Sequence, residues 1–280
     1  MTFNSNDGTN AKFPLPPGSC AFPVLRTLKL SSPDFSYCTN LVKPMAPDCA
    51  LKTIGFSAAK RLPSTLTEWT RMIYTLVDKC RHSALEELLI KDLDADRELA
   101  NRLHASRGVD HLKPLLAFTQ LTFISLYAVG GFSLDDALVD EMAMAWPHLQ
   151  QFHVCGHLRA PLPGTTISAL ASFARHCKRL RSLTITFNAR DECIPDPTPI
   201  PQSFNAMLSF LDVRNSPITS AAPVAAFLSS IFSAIFNIEV SAIRDEFGDE
   251  TEEKEIWREV YHLVSDIARI RAQENARTDY

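Results

Sequence analysis

Residues 180–188 read LRSLTITFN, and the spacing apolar-x-x-apolar-x-apolar inside them decides the fold. Leu183 and Ile185 stand two residues apart, so in a strand they share one face while Thr184 lies on the other. Working outward, the same spacing returns at Leu25/Leu28/Leu30, Leu51/Ile54/Phe56, Leu85/Leu88/Ile90, Leu121/Ile124/Leu126, Leu149/Phe152/Val154, Leu208/Leu211/Val213 and Ile235/Ile238/Val240, with successive starts 26 to 36 residues apart. One such strand cannot bury its own aliphatic face, so units with this period must stack on one another, each adding a strand to a common sheet.

Between the triads the period changes. Leu66, Trp69, Met72, Ile73, Leu76, Val77 and Cys80 follow helical spacing, as do Leu134, Leu138, Met142 and Trp146, and again Ile167, Leu170, Phe173 and Cys177. Ser133 with Asp136 reads as a capping box, Thr165 or Thr166 precedes the next helix, and Pro223 suits a first helical turn. Strand and helix alternate, which predicts an α/β chain with a parallel sheet on one face and helices on the other.

These residues resemble the leucine-rich-repeat family in its longer, helix-bearing form. Leu180, Leu183, Ile185 and Asn188 match its L-x-x-L-x-L-x-x-N pattern in full, where the family's asparagine bonds the backbone of the turn leaving the strand. The other seven units have Pro33, Ala59, Leu93, Val129, His157, Ser216 and Ile243 at that place. The stretches at 133–156, 165–188 and 210–272 further resemble the C-terminal repeat region of fungal F-box proteins, particularly those of basidiomycetes. The resemblance implies a right-handed solenoid, with the sheet concave and the helices convex. It also implies an intracellular substrate receptor of a cullin-RING ubiquitin ligase, whose F-box docks on the Skp adaptor while the repeats hold a protein target.

No F-box is expected in the residues given before Leu25, which are polar, then proline-rich, and too short to hold its three helices. The segment Leu62-Pro63 with Leu66 and Ile73 resembles that module's opening helix but sits between two triads, and it reads as the helix of the second repeat. The Skp adaptor and the cullin ligase are therefore expected partners only if an F-box exists upstream, and residues 1–280 as given are expected not to retain the adaptor. The expected organisation is a flexible segment over 1–21, a domain of about eight degenerate repeats over 22–250, and a C-terminal capping helix over 251–280. Within the repeats, four prolines at alternate positions make 189–202 an exposed loop. Seven acids within 245–255 lie at the positive end of the final helix.

A net charge of -4 offers no bulk positive field for nucleic acid or an acidic membrane surface. Seven cysteines without a C-x-x-C pair read as reduced thiols of a cytoplasmic or nuclear protein. The uncharged run between Arg214 and Glu239 is interrupted by Pro217 and Pro223, and it reads as helix plus strand rather than as a membrane span. No phosphate-binding loop, nucleophile elbow or H-E-x-x-H motif occurs, and no cofactor is expected. His153, Cys155 and His157 are the one group that invites a metal, yet no second ligand pair accompanies them, so no metal is assigned. Asp191, Glu192 and Cys193 with His176 lack the order of a hydrolase site.

Function is instead expected on the face opposite the aliphatics, where Leu89, Phe123, Tyr127, His153, Phe210 and Arg214 stand out among small and polar neighbours as candidate protein-binding residues. The reading is a protein-binding module and not an enzyme. A general repeat scaffold unrelated to ubiquitin, such as a regulator of small GTPases, shares the architecture without the quoted phrases. An enzyme would have only the histidine-cysteine strand to work with.

Overall fold

A computed structural model describes residues 2–4, 24–59, 64–93, 111–128, 131–156, 163–195, 207–232, 235, 237–239 and 252–278. The chain divides into two compact units, one formed by 1–132 with 156–158, the other by 133–155 with 159–280.

In the first unit five parallel strands follow one another in chain order: β1 (Thr2–Asn4), β2 (Thr27–Ser32), β3 (Thr53–Ala59), β4 (Glu87–Leu93) and β5 (Phe123–Tyr127). Helices α1 (Phe35–Val42) and α2 (Leu66–Lys79) and a 3-10 turn at Lys113–Ala117 lie in the connections. Ile54, Leu88 and Ile124 are register partners, as are Phe56, Ile90 and Leu126, and all six are fully enclosed. Burying each such side chain contributes roughly 1.5–3 kcal/mol. The pairing also extends before each strand. The carbonyls of Arg26, Lys52 and Glu86 accept from the amides of Lys52, Glu86 and Thr122, each time from the residue after the first triad member. The Lys52 ammonium and the Glu86 carboxylate run alongside at 2.6 Å, both exposed.

The second unit repeats the arrangement with parallel β6 (Gln151–Cys155), β7 (Ser182–Thr184), β8 (Phe210–Asp212) and β9 (Asn237–Glu239). Its helices are α3 (Asp136–Ala145), α4 (Leu170–His176), α5 (Ala221–Ile231) and α6 (Glu252–Thr278). Phe152, Leu183, Leu211 and Ile238 form one register row of the core. Rings fill the space between sheet and helices: Phe152 and Phe173 lie 4.9 Å apart, and Trp69 in the first unit meets Phe35 edge-on at 5.1 Å.

The middle member of every triad lies in a strand with its side chain buried. The parallel α/β order is therefore as expected within each unit. The uncharged run after Arg214 divides into α5 and β9, and among the described residues no helix is long and apolar enough to cross a membrane. The C-terminal helix runs from Glu252 with three acids in its first turn, and it packs along α5, with Trp257, Val260 and Val264 buried.

Several local expectations are corrected. Of the segment 1–21, expected to be flexible, residues 2–4 pair with Lys29–Ser31, where they satisfy the backbone groups that β2 would leave open as an edge; the rest lies outside the described residues. The cap of α3 is Asp135, which accepts from Leu138 N at 2.8 Å, because Asp136 is occupied elsewhere: its carboxylate takes the Thr166 N–H and O–H, both at 2.6 Å. The loop expected over 189–202 begins inside the core. Ala189 is fully enclosed and bridges to Ile218, and a 3-10 turn follows at Asp191–Cys193; residues 196–202 lie outside the described part. Gly156 closes β6 where only glycine fits, since a Cβ there would collide with Ala128 O and the backbone of Gly131.

Candidate functional site

The outer face of the first unit is built by the register of β2 to β5. Lys29, Gly55, Leu89 and Ser125 form one row across the four strands, and Glu87 faces Phe123 while Lys91 faces Tyr127 on the flanking rows. Phe123 and Tyr127 are the two ends of β5, with Ser125 between them on the same face and Leu89 beside it. Leu89, Phe123 and Tyr127 are half-buried, and Ser125 beneath them is almost fully covered. The result is one apolar patch with a carboxylate at the Phe123 end and an ammonium at the Tyr127 end. Glu87 is oriented by the Thr53 hydroxyl, which donates to it at 3.1 Å. Beside Leu89 lies Gly55, which carries no side chain; a Cβ there would sit 3.1 Å from Lys29 Cγ, so the lysine stem lies over the glycine.

The outer face of the second unit is polar. His153, Thr184, Asp212 and Glu239 form a register row, and His153 Nδ1 lies 2.8 Å from Thr184 Oγ1. Thr184 and Asp212 are buried, contrary to the expectation of an open row, as are Ser125 and Cys155. Short side chains in mid-sheet are shaded by larger neighbours on the adjoining strands. Phe210 is half-buried on the next row between Ser182 and Asn237, with β7 separating it from His153.

Arg214 does not continue this row. The strand stops at Asp212, and Arg214 occupies a left-handed turn at φ 52°. Its amide donates to Asp212 Oδ1 at 3.0 Å, and its Nε lies 3.1 Å from Oδ2. The guanidinium thus balances a buried carboxylate. Of the six candidate residues the structure brings together Leu89, Phe123 and Tyr127 in the first unit. His153, Phe210 and Arg214 lie in the second unit, each with a separate local setting.

Side chains of two residues bond the turns that leave the strands. Asn188 Oδ1 accepts from Arg190 N at 3.1 Å, which is the turn bond expected of it. At the equivalent place Ser216 substitutes: its hydroxyl accepts from Phe187 N at 3.0 Å and donates to Val213 O. His157 lies outside the described residues, so the histidine-cysteine group reduces to His153 facing Thr184 and Cys155 in the interior. Asp191, Glu192 and Cys193 form a turn at the surface, where burial and the neighbouring Glu192 and Asp136 carboxylates push the Cys193 thiol up, the reverse of nucleophile activation.

Two features escaped the reading of the sequence. Gly55 leaves room for the Lys29 stem beside Leu89, a role that only strand register reveals. The opposite charges at the ends of the aromatic pair come from a neighbouring strand 36 residues away along the chain. No protein-family model matches the chain, and no curated protein is significantly similar to it.

Proposed function

We propose that the chain is a protein-binding repeat module that holds its target against the outer sheet face of the first unit, with Leu89, Phe123 and Tyr127 as the apolar anchor. The observation that carries this reading is the register of β4 and β5, which gathers those three side chains into one patch with Glu87 and Lys91 at opposite ends. Half-buried aromatics set in a rigid sheet lose little side-chain freedom on binding, and aromatics dominate the energetics of protein interfaces. The matching target is an extended protein segment with one large apolar side chain against Leu89, Phe123 and Tyr127, a basic group toward Glu87 and an acidic group toward Lys91.

The likeness of 133–156, 165–188 and 210–272 to fungal F-box repeat regions supports reading the module as a leucine-rich-repeat domain, and as the target-recognition part of a ubiquitin-ligase receptor. On that reading its work is capture and presentation, without bond-making chemistry of its own, inside the cell.

A peptide library displayed on phage and panned against the purified chain tests the site. Enriched sequences carry the stated pattern, and Phe123→Ala or Tyr127→Ala weakens them by about tenfold or more, while the thermal midpoint stays near that of the unaltered chain. Ligands indifferent to both substitutions, or midpoints lowered as far as by Leu183→Ala, would place the aromatics in the core and remove the site.

A further inference from the structure

The segments that lead into β3 and β4 carry a short ladder of their own. Cys49 and Cys80 are partners in an isolated parallel bridge: Cys49 N donates to Lys79 O at 2.9 Å, and Arg81 N donates to Cys49 O at 2.8 Å. Adjacent parallel backbones lie about 4.7–4.9 Å apart, inside the roughly 4.4–6.8 Å Cα separation that a disulfide spans. The two thiols face each other with Sγ atoms 3.8 Å apart. On the solvent side the same two segments are strapped by Arg81 and Asp48, whose guanidinium and carboxylate meet in a two-pronged contact at 2.8 and 3.1 Å. Backbone register, side-chain direction and an outer clamp all hold the sulfurs together.

We propose that Cys49 and Cys80 form an oxidisable dithiol site, which a peroxide closes to a disulfide joining the first repeat to the second. The two sulfurs have unequal roles. The proton shared between the two sulfurs holds the Cys49 pKa down, whereas that proton and burial push Cys80 up. Cys49, the less enclosed of the two at 8% against 3% exposure, is the attacking thiolate. Its sulfur displaces hydroxide from the peroxide O–O bond and becomes a sulfenic acid, and the hydroxide takes up a proton to leave as water. Cys80 then loses its proton and attacks the Cys49 sulfur; the S–S bond forms, the S–O bond breaks, and a second water departs. Two thiols and one hydrogen peroxide give one disulfide and two waters, a two-electron oxidation of the pair. Cys38 contacts the Ser32 hydroxyl, Cys177 contacts the carbonyls of Ala143 and Trp146, and burial pushes their pKa values to about 11 and about 12.

The bond would close a loop between residues 31 apart and so restrict the unfolded chain more than the folded one. The test uses the full chain, reduced, freed of reductant, treated with hydrogen peroxide, alkylated with N-ethylmaleimide and mapped by mass spectrometry without reduction. The expected result is a Cys49–Cys80 linked peptide as the main product, with Cys38 and Cys177 recovered as alkylated thiols after unfolding. The thermal midpoint should rise by several degrees on oxidation and fall back with dithiothreitol. In Cys80→Ser the linked peptide disappears, and dimedone traps a sulfenic acid at Cys49. Recovery of Cys49 and Cys80 as free thiols while other cysteines are oxidised, or linkages spread over several cysteine pairs, would overturn the proposal.

Discussion

Asp92 shows how much one side chain can hold in a chain of stacked strands. It is fully enclosed at the end of the inward row that runs Ser32, Ala58, Asp92, a place where an aliphatic residue would be ordinary. Its carboxylate accepts from Ser64 N at 2.7 Å and from Ser64 Oγ at 3.1 Å, so it satisfies the backbone just ahead of the Thr65 cap of α2. Thr65 and Glu68 then close a reciprocal capping box. Asp92→Ala removes the acceptor and leaves a buried N–H unpaired, at a cost of about 1–3 kcal/mol. Urea unfolding followed by Trp69 fluorescence should show a lower midpoint with little change in slope. An unchanged midpoint would mean that water replaces the carboxylate. Asp136 does similar work in the second unit, where it ties the start of α3 to Thr166, and Ser172 bonds to Asp140 one turn on at 2.6 Å. Both aspartates join one repeat to the next, and both look like ordinary surface acids in the linear sequence.

Elements differ in how plainly their residues announce them. The strands were legible because two aliphatics two apart, repeated eight times, admit one burial pattern. Helices α2 and α3 were legible through long apolar periodicity. Helix α1 was not: its buried face is Phe35, Cys38, Thr39 and Val42, two full turns at most, and its cap is Asp34 rather than part of a longer signature. Strand β1 carries no triad, since its pairing depends on the open edge of β2 and not on a period of its own. The apolar patch was half legible: Phe123 and Tyr127 stand out by residue type, but Gly55 and the Glu87 and Lys91 flanks become meaningful only once register is known. Helix α6 was expected as a cap, and the structure shows its anchor. Trp257 is enclosed, donates its indole N–H to Ser216 O at 2.8 Å, and meets Phe187 edge-on at 5.9 Å. Trp257→Ala should cost about 3–5 kcal/mol and should release amide protection along 252–264, as read by hydrogen exchange. A helix that stays protected in that variant would show that Val260 and Val264 suffice.

Within each unit every described strand pairs only with its sequence neighbours, so disturbances should stay local. Leu183→Ala empties a fully enclosed position in β7, at a cost of about 2–5 kcal/mol. Exchange should quicken at Phe152 and Leu211, its register partners, and keep its unaltered rate at Ile54 and Phe56 in the first unit. Equal acceleration at both places would indicate that the chain opens only as a single cooperative body. The register itself has a further consequence. From β2 to β5 corresponding triad members align residue for residue, although the connections between them differ in length. All variation in length is absorbed outside the strands, so a segment cut from one triad to the next consumes one sheet edge and presents another of the same kind. Copy number is then a free variable: an internal duplication that begins and ends at equivalent triad residues would lengthen the sheet by one strand without rewriting either neighbour. Chains of this design could grow or shrink by whole units, and the odd spacings between triads are what such a history would leave behind.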